Sequence, residues 1–254
     1  MQGMIWLLGF LIGASPDSVA QQIMWRVYNR PSFQDMHAQI TMTLIDPNGT
    51  QRVRKMETWS KKDPKTGETK MLIKFMEPAD LRGTAFLIYQ HKDREDDMWF
   101  YLPALRKTKR LAASGKSGAF MGSDFSNYDI GGGEYEDWNY RLLREEDLDG
   151  IPCWVIEALP KSPDVEKKSG YSKEIRWVNK ENDLVVRTDH YDRSGMLFKR
   201  TVVKDAVQIQ GIWFERVIEA TDLDSGHRTV MEFTDIRVNQ GLPDDLFSIR
   251  ALGR

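Results

Sequence analysis

Cysteine occurs once in the 254 residues, at Cys153, so no intrachain disulfide can form and no pair of thiolates can hold a metal. Histidine is nearly as scarce, and none of His37, His91, His190 and His227 stands at metal-ligand spacing from another. Charge of one sign is also missing. With 36 Lys and Arg against 38 Asp and Glu, the chain lacks the basic excess of a dedicated nucleic-acid binder. No apolar run reaches the roughly 18 residues that a membrane-crossing helix needs.

What is present begins with "MQGMIWLLGFLIGASPDSVAQQ". Ile5 to Ile12 form a short apolar core, Pro16 breaks it, and Ser18-Val19-Ala20 gives a small-x-small cleavage pattern before Gln21. Residues 1–20 therefore read as a secretory leader, and 21–254 as one mature domain. The positive residues that normally open a leader are absent, since the first cation is Arg26. A buried N-terminal helix is the alternative. No cysteine follows the cleavage pattern, so no lipid anchor is expected there, and the exported chain should be soluble. Cys153, between Pro152 and Trp154 in an apolar strand pattern, reads as a buried inert thiol.

The segment "QQIMWRVYNRP" has helical spacing, with Ile23 and Val27 on one face and Pro31 as its stop. From His37 the period becomes two. Ala38, Ile40, Met42 and Leu44 alternate with polar residues, and Asp46-Pro47-Asn48-Gly49 turns the chain into a second strand. Similar strands continue to Ile236, punctuated by "DLDG", "NKEND", "DRSG" and "DLDSG". A meander of about a dozen antiparallel strands with few helices follows, and no domain boundary is visible. Two strands, "FLIY" at Phe86 and "MWFYL" at Met98, are apolar on both faces. A sheet with one wet face should alternate, so helices, a partner or a hydrophobic ligand must cover the second face.

Motifs for chemistry fail one after another. "ASGKSG" lacks the glycine that a phosphate loop needs five residues before Gly115, because Arg110 stands there. "YDIGGGEY" has three glycines but no strand-turn-helix context. Asp189, His190 and Asp192 read as a solvated strand face. No serine lies in a nucleophile elbow, and most carboxylates fall in turns. No catalytic residue, cofactor or metal is expected.

The stretch Arg106-Lys107-Thr108-Lys109-Arg110 places cations on both faces of an extended segment, which no sealed core tolerates. It belongs at an edge or a cavity rim, where Arg106, Lys107, Lys109 and Arg110 would meet phosphate head groups or a partner. An edge strand protected by lysines against aggregation is the competing account.

Three motifs in order, "EPADLRGTAFLIY", "MWFYLPALRKTKRL" and "KSGAFMGSDFSNYDI", together with the opening "AQITMTLIDPNG" and the ending "GLPDDLFSI", resemble the periplasmic outer-membrane lipoprotein-sorting proteins of the LolA/LolB-like group. The resemblance covers nearly the whole mature chain. It implies a curved antiparallel half-barrel, an incomplete β-barrel with short helices as its lid, holding acyl chains in the cavity between sheet and lid. An RND-type membrane exporter is an implied partner, and membrane contact would be peripheral or transient.

The doubly apolar strands and the Gly/Ser-rich segment from Ser114 to Ser123 fit that expectation, as cavity wall and removable cover. The expected cavity residues are Ile40, Met42, Leu44, Trp59, Ile73, Phe75, Phe86, Ile88, Trp99, Tyr101, Phe120, Met121 and Phe125. The leading reading is a periplasmic carrier of lipoprotein acyl chains or other lipid-like cargo. A cargo-free adaptor of an exporter is second, and an enzyme acting on envelope lipids third.

Overall fold

The computed structural model describes residues 15–91, 94–112 and 115–253. Most of the leader expected at 1–20 and Ser114 of the expected cover lie outside the described residues.

Helix α1 spans Pro16–Tyr28. It starts earlier than the helical spacing suggests because Ser15 caps it, accepting from the Ser18 amide, and Pro16 supplies a first-turn φ. Ala20, Ile23 and Met24 are buried along one side. Six strands then form a meander: β1 (Asp35–Ile45), β2 (Gln51–Lys62), β3 (Thr69–Glu77), β4 (Ala85–Gln90), β5 (Asp97–Leu102) and β6 (Lys107–Arg110). A long connection carries the short helix α2 (Asn127–Gly131). A second meander follows: β7 (Trp138–Leu148), β8 (Ile151–Pro160), helix α3 (Pro163–Ser169), β9 (Lys173–Asn179), β10 (Val185–Tyr191), β11 (Leu197–Ile209), β12 (Ile212–Asp222) and β13 (Arg228–Val238).

The two meanders join through β1 and β13 into one 13-stranded antiparallel sheet, with β6 at one edge and β7 at the other. The sheet does not close. The connection from β6 to β7 therefore has to travel from edge to edge, and it does so across the inner face. Phe120 and Phe125 of this connection pack with Ile40, Met42, Phe75, Phe86 and Ile88 in one core. A second core gathers Ile23 and Met24 of α1 with Tyr128, Trp138, Tyr140 and Ile156.

The outer face of β3 to β5 has its own cover. After β13 the chain returns, and two 3-10 turns, Asp244–Phe247 and Ile249–Gly253, set Phe247 and Leu252 against Leu72, Ala85 and Leu87. Asp35 holds the start of this return, accepting from the amides of Gln240 and Gly241 at 2.8 Å each. That explains the two doubly apolar strands: β4 and β5 lie between the β6–β7 connection and the C-terminal turns. It also gives the ending "GLPDDLFSI" a packing role.

One local expectation is corrected, and the expected burial of Cys153 is met. Asp189 and His190 are not on a solvated face, because both are buried in ion-pair networks on opposite sides of β10. Asp189 accepts paired bonds from Arg187 and Arg200, while His190 meets Glu174 at 3.0 Å and Thr201 at 3.1 Å. Cys153 is fully buried, and burial pushes its thiol up to about 11.

Candidate functional site

A cavity of about 410 Å³ lies between the inner face of the sheet and the β6–β7 connection. That volume falls within the roughly 300–1,000 Å³ of small-molecule sites. Its wall runs from β3 (Met71, Ile73) through β2 (Met56, Thr58, Ser60), β1 (Met36, Ile40) and β13 (Met231, Phe233) to β12 (Trp213 to Glu215, Ile218). Phe120, Phe125 and Ile130 of the connection close the front. The β11–β12 pairing breaks register on either side of Asp205. Such irregularities re-aim side chains, and here Trp213, Phe214 and Glu215 all reach the cavity wall.

Of the residues expected at the cavity, Ile40, Ile73, Phe120 and Phe125 line it. Met42, Leu44, Phe75, Phe86 and Ile88 share the inner face but are packed solid beside it. Phe120 fills that half: its ring lies 4.9 Å from Phe86 and 6.1 Å from Phe75. Met121 packs against the same core with a left-handed backbone (φ 51°), and its carbonyl accepts from Arg54.

Trp59, Trp99 and Tyr101 are on the other side. Thr58 lines the cavity, and Met98 and Phe100 belong to the inner core, so their strand neighbours point outward and pack under the C-terminal turns. The basic residues are not at the cavity. Lys107, Lys109 and Arg110 are exposed on the short edge strand β6, Arg106 precedes it with φ 47°, and Arg110 bonds Asp97.

Local periodicity missed the other half of the cavity. Met231 and Phe233 do alternate in "VMEFTDI", but nothing near them in sequence says that β13 lies beside β1.

Among the described residues, three charged side chains line the cavity: Arg30, Asp129 and Glu215. Asp129 is committed to structure. It accepts from Lys199 Nζ at 2.6 Å, from the Tyr171 hydroxyl at 2.7 Å and, within the capping box of α2, from the Ser126 amide at 2.7 Å. Burial works to raise its carboxyl, but Lys199 and His190 outweigh this and hold it below the usual carboxylate range. Ser126, Tyr171 and Lys199 thus stand together without forming a nucleophile and base. The serine oxygen caps α2, accepting from the Asp129 amide at 3.0 Å, and the lysine is paired with the aspartate.

Glu215 differs. Burial raises its carboxyl, and Arg30, whose Nη2 is 3.5 Å from Oε1, only partly offsets that. Among the described residues no cluster of His, Cys, Asp and Glu is arranged to hold a metal, and no helix is long and apolar enough to cross a membrane.

A family model described as "-like: Uncharacterized protein" matches residues 67–254. No curated protein matches the sequence. Among solved structures, a DUF1329 family protein from Desulfovibrio piger is 32% identical, with a TM-score of 0.88 over 94% of this chain and 100% of its own. A structure described as an outer membrane lipoprotein-sorting protein domain, from Vibrio parahaemolyticus, is 29% identical, with a TM-score of 0.86 over 93% of this chain and 99% of its own. A LolA superfamily protein from Nitrosomonas europaea, 24% identical, shares the fold with a TM-score of 0.70 over 91% of this chain and 98% of its own. The chain belongs to the DUF1329 family, and its open antiparallel sheet is the LolA-like fold of the outer membrane lipoprotein-sorting proteins.

Proposed function

We propose that this protein is a periplasmic carrier of lipid-like cargo, holding an acyl chain in the cavity between sheet and connection. The observation that carries the reading is the apolar cavity of about 410 Å³ left open at β1–β3 and β12–β13, while the adjoining half of the same face is filled by Phe120. Burying an alkyl chain there stabilises by about 0.8 kcal/mol per methylene, enough to hold a long chain with no covalent step. The description of one similar structure, the Vibrio parahaemolyticus domain, as a lipoprotein-sorting protein supports the same reading.

The test is native mass spectrometry of the protein purified from membrane-containing extract, with uptake of a fluorescent apolar probe measured alongside. Co-purifying lipid is expected, together with probe uptake that Ile218→Trp blocks by filling the cavity. A protein that emerges empty and takes up no probe would overturn the proposal.

A second reading rests on a different observation. Strand β6 is a free sheet edge whose four residues are all exposed, with Arg106, Lys107 and Lys109 away from the cavity. Docking of this edge onto an acidic partner such as an RND-type exporter predicts that Lys107→Glu and Lys109→Glu abolish transporter capture while probe uptake persists.

A further inference from the structure

The carrier reading leaves open what the polar end of the cargo meets, and the mouth of the cavity bears on this. Arg30 lies just beyond α1, at the point where the main cavity meets two surface depressions of about 340 and 320 Å³. Arg30 and Trp213 line all three, and Trp213 is 38% exposed.

A guanidinium has five N–H donors in a fixed fork. Arg30 uses little of it: Nε reaches the Val27 carbonyl at 3.3 Å and Nη2 reaches Glu215 at 3.5 Å, both at or beyond the long end of the hydrogen-bond range. The rest of the fork has no partner among the described residues. Its one ionic partner, Glu215, has its carboxyl raised by burial. The other lining carboxylate, Asp129, is held by Lys199 and Tyr171. Arg30 is therefore the one cation among the described residues that line the cavity, loosely held, set where an apolar space opens to water.

We propose that the cargo is an anionic amphiphile whose acyl chain fills the apolar cavity and whose head, a carboxylate or phosphate, takes the Arg30 fork from Glu215. This rests on the carrier reading and adds the class of head group. Guanidinium and oxyanion match in a bidentate geometry, which a neutral head of the same chain length cannot reproduce.

The experiment displaces a neutral fluorescent apolar probe from the purified protein with oleate, oleoyl lysophosphatidate and oleyl alcohol, each below its micellar concentration. The anionic ligands are expected to bind about ten- to a hundredfold more tightly than the alcohol, the range of one charge-assisted contact. Arg30→Met should abolish that preference, weakening the anionic ligands far more than the alcohol, Arg30→Lys should keep part of it, and Glu215→Gln should strengthen it. Tighter binding of oleate or of lysophosphatidate supports the proposal and tells a fatty acid from a phospholipid head. If Arg30→Met does not fold, Arg30→Lys and Glu215→Gln carry the test. Equal affinity for all three ligands in the wild type, or a preference untouched by the Arg30 and Glu215 variants, would overturn this inference and leave the carrier standing. Probe uptake by none of the proteins would overturn both.

Discussion

Lys199 of β11 reaches inward to place its ammonium 2.6 Å from the carboxylate of Asp129 in α2, and both side chains are largely buried. The pair ties the β6–β7 connection to the second meander. A second tie lies further along, where the ring of His227 stands 2.7 Å from Asp124. The connection is thus pinned by buried polar contacts as well as by its two phenylalanines.

Removing one partner of the first tie leaves a buried charge without compensation. Lys199→Met is expected to cost about 3–5 kcal/mol in urea denaturation. Lys199→Met combined with Asp129→Asn should cost clearly less than Lys199→Met alone, because no unpaired ion remains. Equal losses would mean that the pair is not what the connection depends on.

Acid stability should report Glu174. Burial works to raise this carboxyl, but Arg176 and His190 outweigh it and bring the group down to about 2. An unfolded glutamate titrates at about 4.3, so between these values the unfolded chain binds the extra proton. Stability is then full above the upper value and falls as pH drops towards 2. Melting temperatures from pH 6 to 2 should show this limb, and Glu174→Gln should flatten it at the expense of stability near neutrality.

Glu134 predicts the opposite slope. Burial, with Asp96, Asp137 and Glu136 nearby and Lys168 as a partial offset, raises its carboxyl to about 7. The unfolded group loses its proton first, so stability declines as pH rises from about 4.3 to 7 and then levels. Glu134→Gln should match the wild type at pH 4 and melt higher at pH 8. A difference that is the same at both values would rule out titration of this group.

Gly133→Ala tests a close approach. A β-carbon there would meet the hydroxyl of Tyr128, which is itself fixed by a bond from Trp138 Nε1 at 3.2 Å. Crowding of this kind costs about 1–3 kcal/mol. Tyr128→Phe should recover part of the loss, since it removes the atom that collides.

The strands were readable because each alternates and each is bounded by an Asp, Asn or Gly turn. The pinning contacts were not. Glu174, Asp189 and Lys199 alternate along their strands as solvent-facing residues would, and only the crossing connection and neighbouring strands bury them. The cavity was half readable for a similar reason. Ile40 and Ile73 stand in patterned strands, whereas the wall from β12 and β13 depends on a pairing between chain ends and a break in register. Trp59, Trp99 and Tyr101 looked equivalent to their inner neighbours because both faces of those strands are covered. The glycines of "YDIGGGEY", which suggested a nucleotide site and failed as one, serve close packing behind α2.

Pairing of the first strand with the last, Met36 opposite Val238, has a consequence for how the polypeptide reaches this form. During synthesis each meander can zip up from neighbours as it emerges, but β1 must keep one side open until β13 has left the ribosome. Contacts so distant along the chain are slow to form, and an unpaired apolar strand invites wrong partners meanwhile. Loss of even the final strand would therefore leave two half-sheets and no vessel.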